Sequence, residues 1–139
     1  MAETTIQLDI LTPLGPKRHG VVVPGVEVPG LLGELGVLPE HVPFITPVVP
    51  GVVRFRNGAE SVRIAVGAGF LEVTRDNRVV ILVERALEVS EIDANKARED
   101  LKRVQADLSH DLGSIDAAEH RKLVTEQGWL EAQIRATQP

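Results

Sequence analysis

IAVGAGFLEVTRDNRVVILVERALEVSEID, residues 64–93, holds the passage from one kind of structure to another. Together with Ser61–Arg63 it contains three β-branched and aliphatic runs: Ser61–Val66, Phe70–Thr74 and Arg78–Val83. Asp76-Asn77 between the last two is a hairpin turn signal. Gly67-Ala68-Gly69 lies between two strands and opens no helix, which predicts a sharp bend or bulge where strands cross closely. The stretch ends on Ser90-Glu91-Ile92-Asp93, a capping-box-like helix start. The serine oxygen is placed to accept the N3 amide, and Asp93 sits at the positive end of the helix. The reading is strands before and helices after, with a boundary near Leu87–Ser90.

Upstream, Thr5–Leu11 sets Ile6, Leu8 and Ile10 against Thr5, Gln7 and Asp9, the period-2 signature of a half-buried strand. Val21–Val23, Val26–Val28, Phe44–Val49 and Val52–Arg56 are further strand candidates, and Asn57-Gly58 is a second hairpin signal. Arg54, Arg56 and Arg63 fall opposite Val53, Phe55, Val62 and Ile64, on solvated faces. Prolines 24, 29, 43, 47 and 50 exclude central ladder positions, so those strands are short, edge-like or bulged. Downstream, Ala97, Leu101, Val104 and Leu108 form one apolar helical stripe, and Glu99–Arg103 is a favourably oriented i,i+4 pair. Gly113-Ser114 breaks that run, and Asp116-x-x-Glu119 starts another that carries Leu123, Leu130 and Ile134, with Gln127 in the missing position.

Backbone punctuation separates the halves. Eight of nine prolines and ten of twelve glycines lie in residues 1–69, while residues 89–138 hold two glycines and no proline. The expected architecture is mainly β then α: an N-terminal antiparallel β-sandwich, residues 1–88, followed by a C-terminal antiparallel α-helical hairpin, residues 89–139. A hairpin this small buries too little apolar surface to offset its own ordering, so it needs a second surface. It either switches between such surfaces or packs permanently on the sandwich.

The 139 residues carry a net charge of −5, no cysteine and only four aromatic rings, Phe44, Phe55, Phe70 and Trp129. That argues against nucleic-acid binding and excludes disulfides, thiolate metal sites and cysteine nucleophiles. The acids in MAETTIQLDI stand where a signal peptide carries bases, and no run of about 20 apolar residues occurs, so membrane contact is expected only through partners. No P-loop, GxSxG, GxGxxG, HExxH or EF-hand loop appears. His41 has no nearby set of nucleophile and orienting acid, and shapes a loop or an interface. His19, beside Lys17 and Arg18, reads as solvated turn chemistry. An enzyme acting alone is disfavoured; a free-standing adaptor with a gripping hairpin is the other class.

GELGVLPEHVPFITPVVPGVVRF, residues 33–55, resembles the signature of the epsilon subunit of bacterial F-type ATP synthases. Gly33, Leu35, Gly36, Val37, Leu38, Pro39, His41, Pro43 and the Pro50-Gly51 pair stand where that family has them. Residues 64–93 resemble its second block, with Ala68-Gly69 in place of the usual Gly-Gly. The resemblance covers about 90 residues in order; the helical region matches by plan and length.

The resemblance implies a non-catalytic rotor component in the central stalk, coupling proton flow to ATP synthesis, at the cytoplasmic face of the bacterial inner membrane. Its partners would be the gamma subunit, the ring of c subunits and the alpha/beta catalytic hexamer. The loop Glu34–Pro43 is expected to face gamma or the c ring, with Glu34, Leu38, Pro39, Glu40 and His41 as contacts. The hairpin would inhibit hydrolysis, and Arg98, Lys102, Arg103, Arg121, Lys122 and Arg135 are the charges available to meet the beta subunit. Some relatives bind ATP through an I/L-D-x-x-R-A motif, matched here by Ile92, Asp93, Lys96 and Ala97 with lysine for arginine. Lysine loses the bidentate fork. No cofactor is required; ATP would be regulatory, making the chain a nucleotide-sensing module.

Overall fold

The computed structural model describes residues 4–110 and 117–139. Ten strands come first: β1 (Ile6–Thr12), β2 (Gly15–Val23), β3 (Val26–Gly30), β4 (Gly33–Val37), β5 (Phe44–Val48), β6 (Gly51–Asn57), β7 (Glu60–Val66), β8 (Gly69–Val73), β9 (Arg78–Val83) and β10 (Ala86–Glu88). A 3-10 turn, Val89–Glu91, leads to α1 (Ala94–His110) and α2 (Ala117–Thr137). The strands form one continuous sheet in the order β10-β7-β6-β3-β5-β8-β9-β1-β2, with β4 on β3. It folds over on itself at β3–β5, where only Gly30 and Val48 pair, and becomes a two-layered sandwich. Ile6, Leu8, Ile10, Ile64, Leu71 and Ile81 are fully buried between the layers. The expected strand-then-helix architecture is therefore the observed one, with one parallel pair, β1–β9, in an otherwise antiparallel sheet.

The differences lie where polar residues conceal a strand. Gly33–Val37, expected as loop, pairs with β3 along its whole length. β2 begins at Gly15, so His19 lies in a strand and not in a solvated turn. β10 was not anticipated. Pro29 sits inside β3 at the point where that strand changes partner from β6 to β5, and its carbonyl accepts the Val49 N–H at 3.1 Å. Both turn signals hold, with Gly58 and Asn77 in the left-handed region. Gly69 is the close crossing: a Cβ there would stand 1.9 Å from the Leu82 carbonyl oxygen, so no side chain fits.

The helices correct the reading further. Asp93, not Ser90, caps α1, accepting the Lys96 N–H at 3.0 Å. Ser90 lies in the 3-10 turn, whose capping box is formed by Glu88 and Glu91. Arg103 turns to Asp100 at 3.6 Å in place of the expected Glu99 pairing. Gly113-Ser114 and Asp116 lie outside the described residues. The Leu123–Leu130–Ile134 stripe undercounts α2, because Trp129, Ala132 and Ala136 form a second buried face. That face meets Val52 and Ala65 on the outside of β6–β7, so the arm lies folded on the sandwich. No described helix is long and apolar enough to cross a membrane.

Asp9 is a buried carboxylate in a strand expected to be wet on that side, only 2% exposed. Between the Leu8–Val21 and Ile10–Arg18 pairs, β1 has one residue and β2 has two, His19 and Gly20. This is a bulge, and Gly20 takes it at φ +64. Asp9 fills the gap in the ladder: Oδ1 accepts the Gly20 N–H at 2.7 Å and lies 2.8 Å from His19 Nδ1, and Oδ2 lies 3.4 Å from Arg78. Burial pushes the carboxyl up, but the Gly20 amide, Arg78 and His19 together outweigh it and hold it below its ordinary 3.8. A depressed folded-state value means stability that is full above 3.8 and lost as pH falls through the folded-state value. We expect Asp9→Asn to cost about 1–3 kcal/mol at neutral pH. In thermal melts across pH, the gap to the unaltered chain should narrow on the acid side.

Candidate functional site

The strand β4 separates the residues expected to form one contact loop. Glu34 lies at its start, exposed, beside the β3–β4 turn where Leu31 and Leu32 are 66% and 104% exposed. Leu38, Pro39, Glu40 and His41 follow its other end. Glu40 is in the left-handed region at φ 65, and its N–H donates to Asn77 Oδ1 at 2.5 Å. Asn77 also gives its carbonyl to the Gln7 N–H at 2.8 Å, so one turn residue braces the loop and the start of β1. His41 Nδ1 lies 3.0 Å from the Val42 carbonyl, and its ring rests against Phe44 with centroids 4.9 Å apart. Those contacts shape the loop. A 750 Å³ hollow beside it is lined by Glu40, His41, Val42, Pro43 and the Arg75–Asn77 turn.

Next to that loop lies a surface that the sequence reading missed. Pro47 on β5 pairs with Phe70 on β8, Phe70 with Leu82 on β9, and Leu82 with Leu11 on β1. Ile45, Phe70 and Leu82 are all more than half exposed, so an apolar row crosses four strands on the outer face of one layer. A contiguous stripe of this kind marks a contact surface. The signal was present: Val79–Val83 is apolar without alternation, the pattern of a strand covered on both faces.

The arm presents different chemistry. Ala97 is buried and Ile92 packs with Leu87 against the α2–sheet cluster. Asp93 is used as the helix cap, and Lys96 reaches Asp100 at 3.2 Å. Arg98, Lys102 and Arg103 are exposed on α1; Arg121, Lys122 and Arg135 are exposed on α2. The structure thus divides these bases between two helices. Arg121 and Lys122 line a 760 Å³ hollow with Glu84, Arg85 and Glu126, where the first half of α2 stands off the sheet. From Gly128 onward the helix is seated, a Cβ at Gly128 lying 3.3 Å from Pro50. Between the two halves, Arg85 stands 4.8 Å from the Trp129 ring centroid and donates to Glu126 Oε2 at 2.8 Å. A cation over an indole face is worth about 0.5–2 kcal/mol. The Arg85 Nε is buried and has no hydrogen-bond partner among the described residues. On the other side of the turn, Lys17–Glu91 at 2.6 Å and Arg18–Glu88 bind β2 to the start of the arm. Lys17 and the Glu88 amide hold the Glu91 carboxyl below its usual range.

The profile of the ATP synthase delta/epsilon chain β-sandwich domain matches residues 5–89. The ATP synthase epsilon chain of Alkalihalophilus pseudofirmus is 39% identical over 110 residues, covering 76% of this chain and 78% of that one. The epsilon chain of Moorella thermoacetica is 40% identical over 120 residues, covering 82% and 84%. Among solved structures, a chain of the Euglena gracilis mitochondrial ATP synthase (OSCP, F1 and c-ring) superposes with a TM-score of 0.84 at 21% identity, over 99% of this chain and 84% of that one. That last likeness speaks for the fold. The sandwich match and the relatives' identity over most of both chains place this protein in the ATP synthase epsilon chain family.

Proposed function

We propose that this chain is a non-catalytic central-stalk subunit of an F-type ATP synthase, clamped between the gamma subunit and the c ring. The observation that carries the proposal is the apolar row Pro47–Phe70–Leu82–Leu11 beside the braced His41 loop. A rotor part has to be gripped, and an obligate grip wants an apolar, preformed surface. This face and Leu38–His41 are assigned to gamma. The Leu31-Leu32 turn with Glu34, at the other end of β4, is assigned to the c ring. Membrane association comes through these partners, at the cytoplasmic face, and the chain contributes to coupling by transmitting torque through a closed sandwich. No step of bond chemistry is assigned to it and no cofactor is required.

The arm is the regulator in this reading. Folded down, it covers Val52 and Ala65; extended, it carries Arg98, Lys102, Arg103, Arg121 and Lys122 toward the catalytic hexamer and opposes hydrolysis. The motif Ile92–Ala97 supports a second, nucleotide-sensing reading, in which ATP holds the arm down. Its cost is visible: Asp93 and Lys96 would have to leave the contacts they make now.

Three outcomes are expected. Phe70→Glu should weaken binding to gamma at least tenfold in a titration while leaving the melting temperature within a few degrees; unchanged binding would remove the assignment of that face. Ending the chain at Val89 should leave a sandwich that still binds gamma and a complex whose ATPase is no longer inhibited, and failure to bind gamma would count against the division of labour. In equilibrium dialysis at millimolar ATP, saturable binding lost in Asp93→Ala supports the sensor, and absence of binding ends it.

A further inference from the structure

We propose that Arg85 is the catch of the arm: its guanidinium, held between the Trp129 ring and the Glu126 carboxylate, sets how often α2 leaves the sheet. The inference rests on the regulatory reading of the arm and names the contact that would govern it. Its basis is the position of the residue. The first half of α2 stands over a 760 Å³ hollow, and a second hollow of 470 Å³ lies on the other side of Arg85, bounded by the β1–β2 turn, Glu91 and Trp129. Arg85 is common to the lining of both, a polar bridge between the sandwich and the place where the helix changes from lifted to seated.

The bridge is built from both units. Arg85 comes from the β9–β10 turn, and its carbonyl is fixed by the Gly67 N–H at 2.9 Å. Gly67 leaves room for both side chains of the turn, since a Cβ there would meet Glu84 Cγ at 2.9 Å and Arg85 Cγ at 3.2 Å. The α2 partners, Glu126 and Trp129, are three residues apart and share a helix face. Lysine would not reproduce this contact, because a single ammonium cannot lie on the indole and reach the carboxylate at once as the extended guanidinium does. The contact is also incomplete. Arg85 Nε is buried with no hydrogen-bond partner among the described residues, so the closed state carries a penalty that opening to water relieves. An attraction offset in this way gives a catch that holds and releases, which a regulator needs and a permanent brace does not.

Trp129 is the only tryptophan and is 6% exposed, so it reports on the arm directly. The experiment is acrylamide quenching of Trp129 in the full-length chain, alongside far-ultraviolet circular dichroism. Arg85→Met, which keeps an apolar stem and removes the charge, should raise the quenching constant about threefold or more with the β signal retained. Glu126→Gln should give a smaller rise, Arg85→Lys should behave like Arg85→Met, and the effects of Arg85→Met and Glu126→Gln should not add in the double variant. Unchanged quenching in folded Arg85→Met overturns the proposal, as does full rescue by lysine; if Arg85→Met loses its β signal, unchanged quenching in Glu126→Gln overturns it. Glu126 is surface-accessible, so its variant keeps the test open whatever becomes of Arg85→Met. ATPase inhibition measured with the same variants in the assembled complex separates the two claims. Freed arms with unaltered inhibition would leave the catch standing and remove the regulatory reading.

Discussion

Val52 and Ala65 point away from the sandwich core, and their burial depends on a covering helix that comes close. Ala132 and Ala136 supply that, with Trp129 closing one side. This patch of small-on-small packing is the apolar contact through which the sheet and the helical arm become one body. Without it α2 keeps only its α1 face, and the helices revert to a pair with too little buried surface to hold a shape. The patch is also modest. Alanine side chains bury less apolar surface than the sandwich interior, where Ile6, Leu8, Ile64 and Ile81 are fully buried.

The sandwich earns its stiffness differently. Its sheet is continuous, its corner is a proline-marked change of partner at β3, and its β1–β2 bulge is closed by a carboxylate drawn inward to a backbone amide. Each device replaces a missing ladder bond with a specific one. A body of this type deforms little, which suits the proposed role of passing force between two surfaces. The two surfaces proposed for that, the Leu31-Leu32 turn and the Phe70–Leu82 face, both carry exposed apolar side chains.

What could be read from residues alone follows from where the determining interactions are local. Arg78–Val83 was legible to the residue because turn chemistry at Asp76-Asn77 and an apolar run delimit it. β2 was not, because Lys17, Arg18 and His19 look like a solvated turn until Glu91, Glu88 and Asp9 appear across the sheet to receive them. β4 was hidden by its two glycines and by having a single neighbour, β3. For the site, the family motif located Glu34 and His41 but could not reveal that a strand parts them. The apolar row was half legible, since Val79–Val83 lacks alternation, but Leu11, Pro47 and Phe70 become neighbours of that run only through strand register. Ser90 lost the cap to Asp93 because a 3-10 turn, stabilised by Glu88 and Glu91, intervenes.

The parallel pairing of β1 with β9 has a consequence for the order in which the chain can assemble. Strands β3 to β9 include three local hairpins, β3–β4, β6–β7 and β8–β9, but Gln7–Leu11 finds its partner Arg78–Leu82 only across most of the domain's length. Closing so long a loop is entropically expensive and slow compared with hairpin formation. During synthesis the β1–β2 hairpin must therefore wait with one edge of β1 unpaired until β9 has emerged. The arm follows directly after that event and arrives on a platform whose outer face has just been completed.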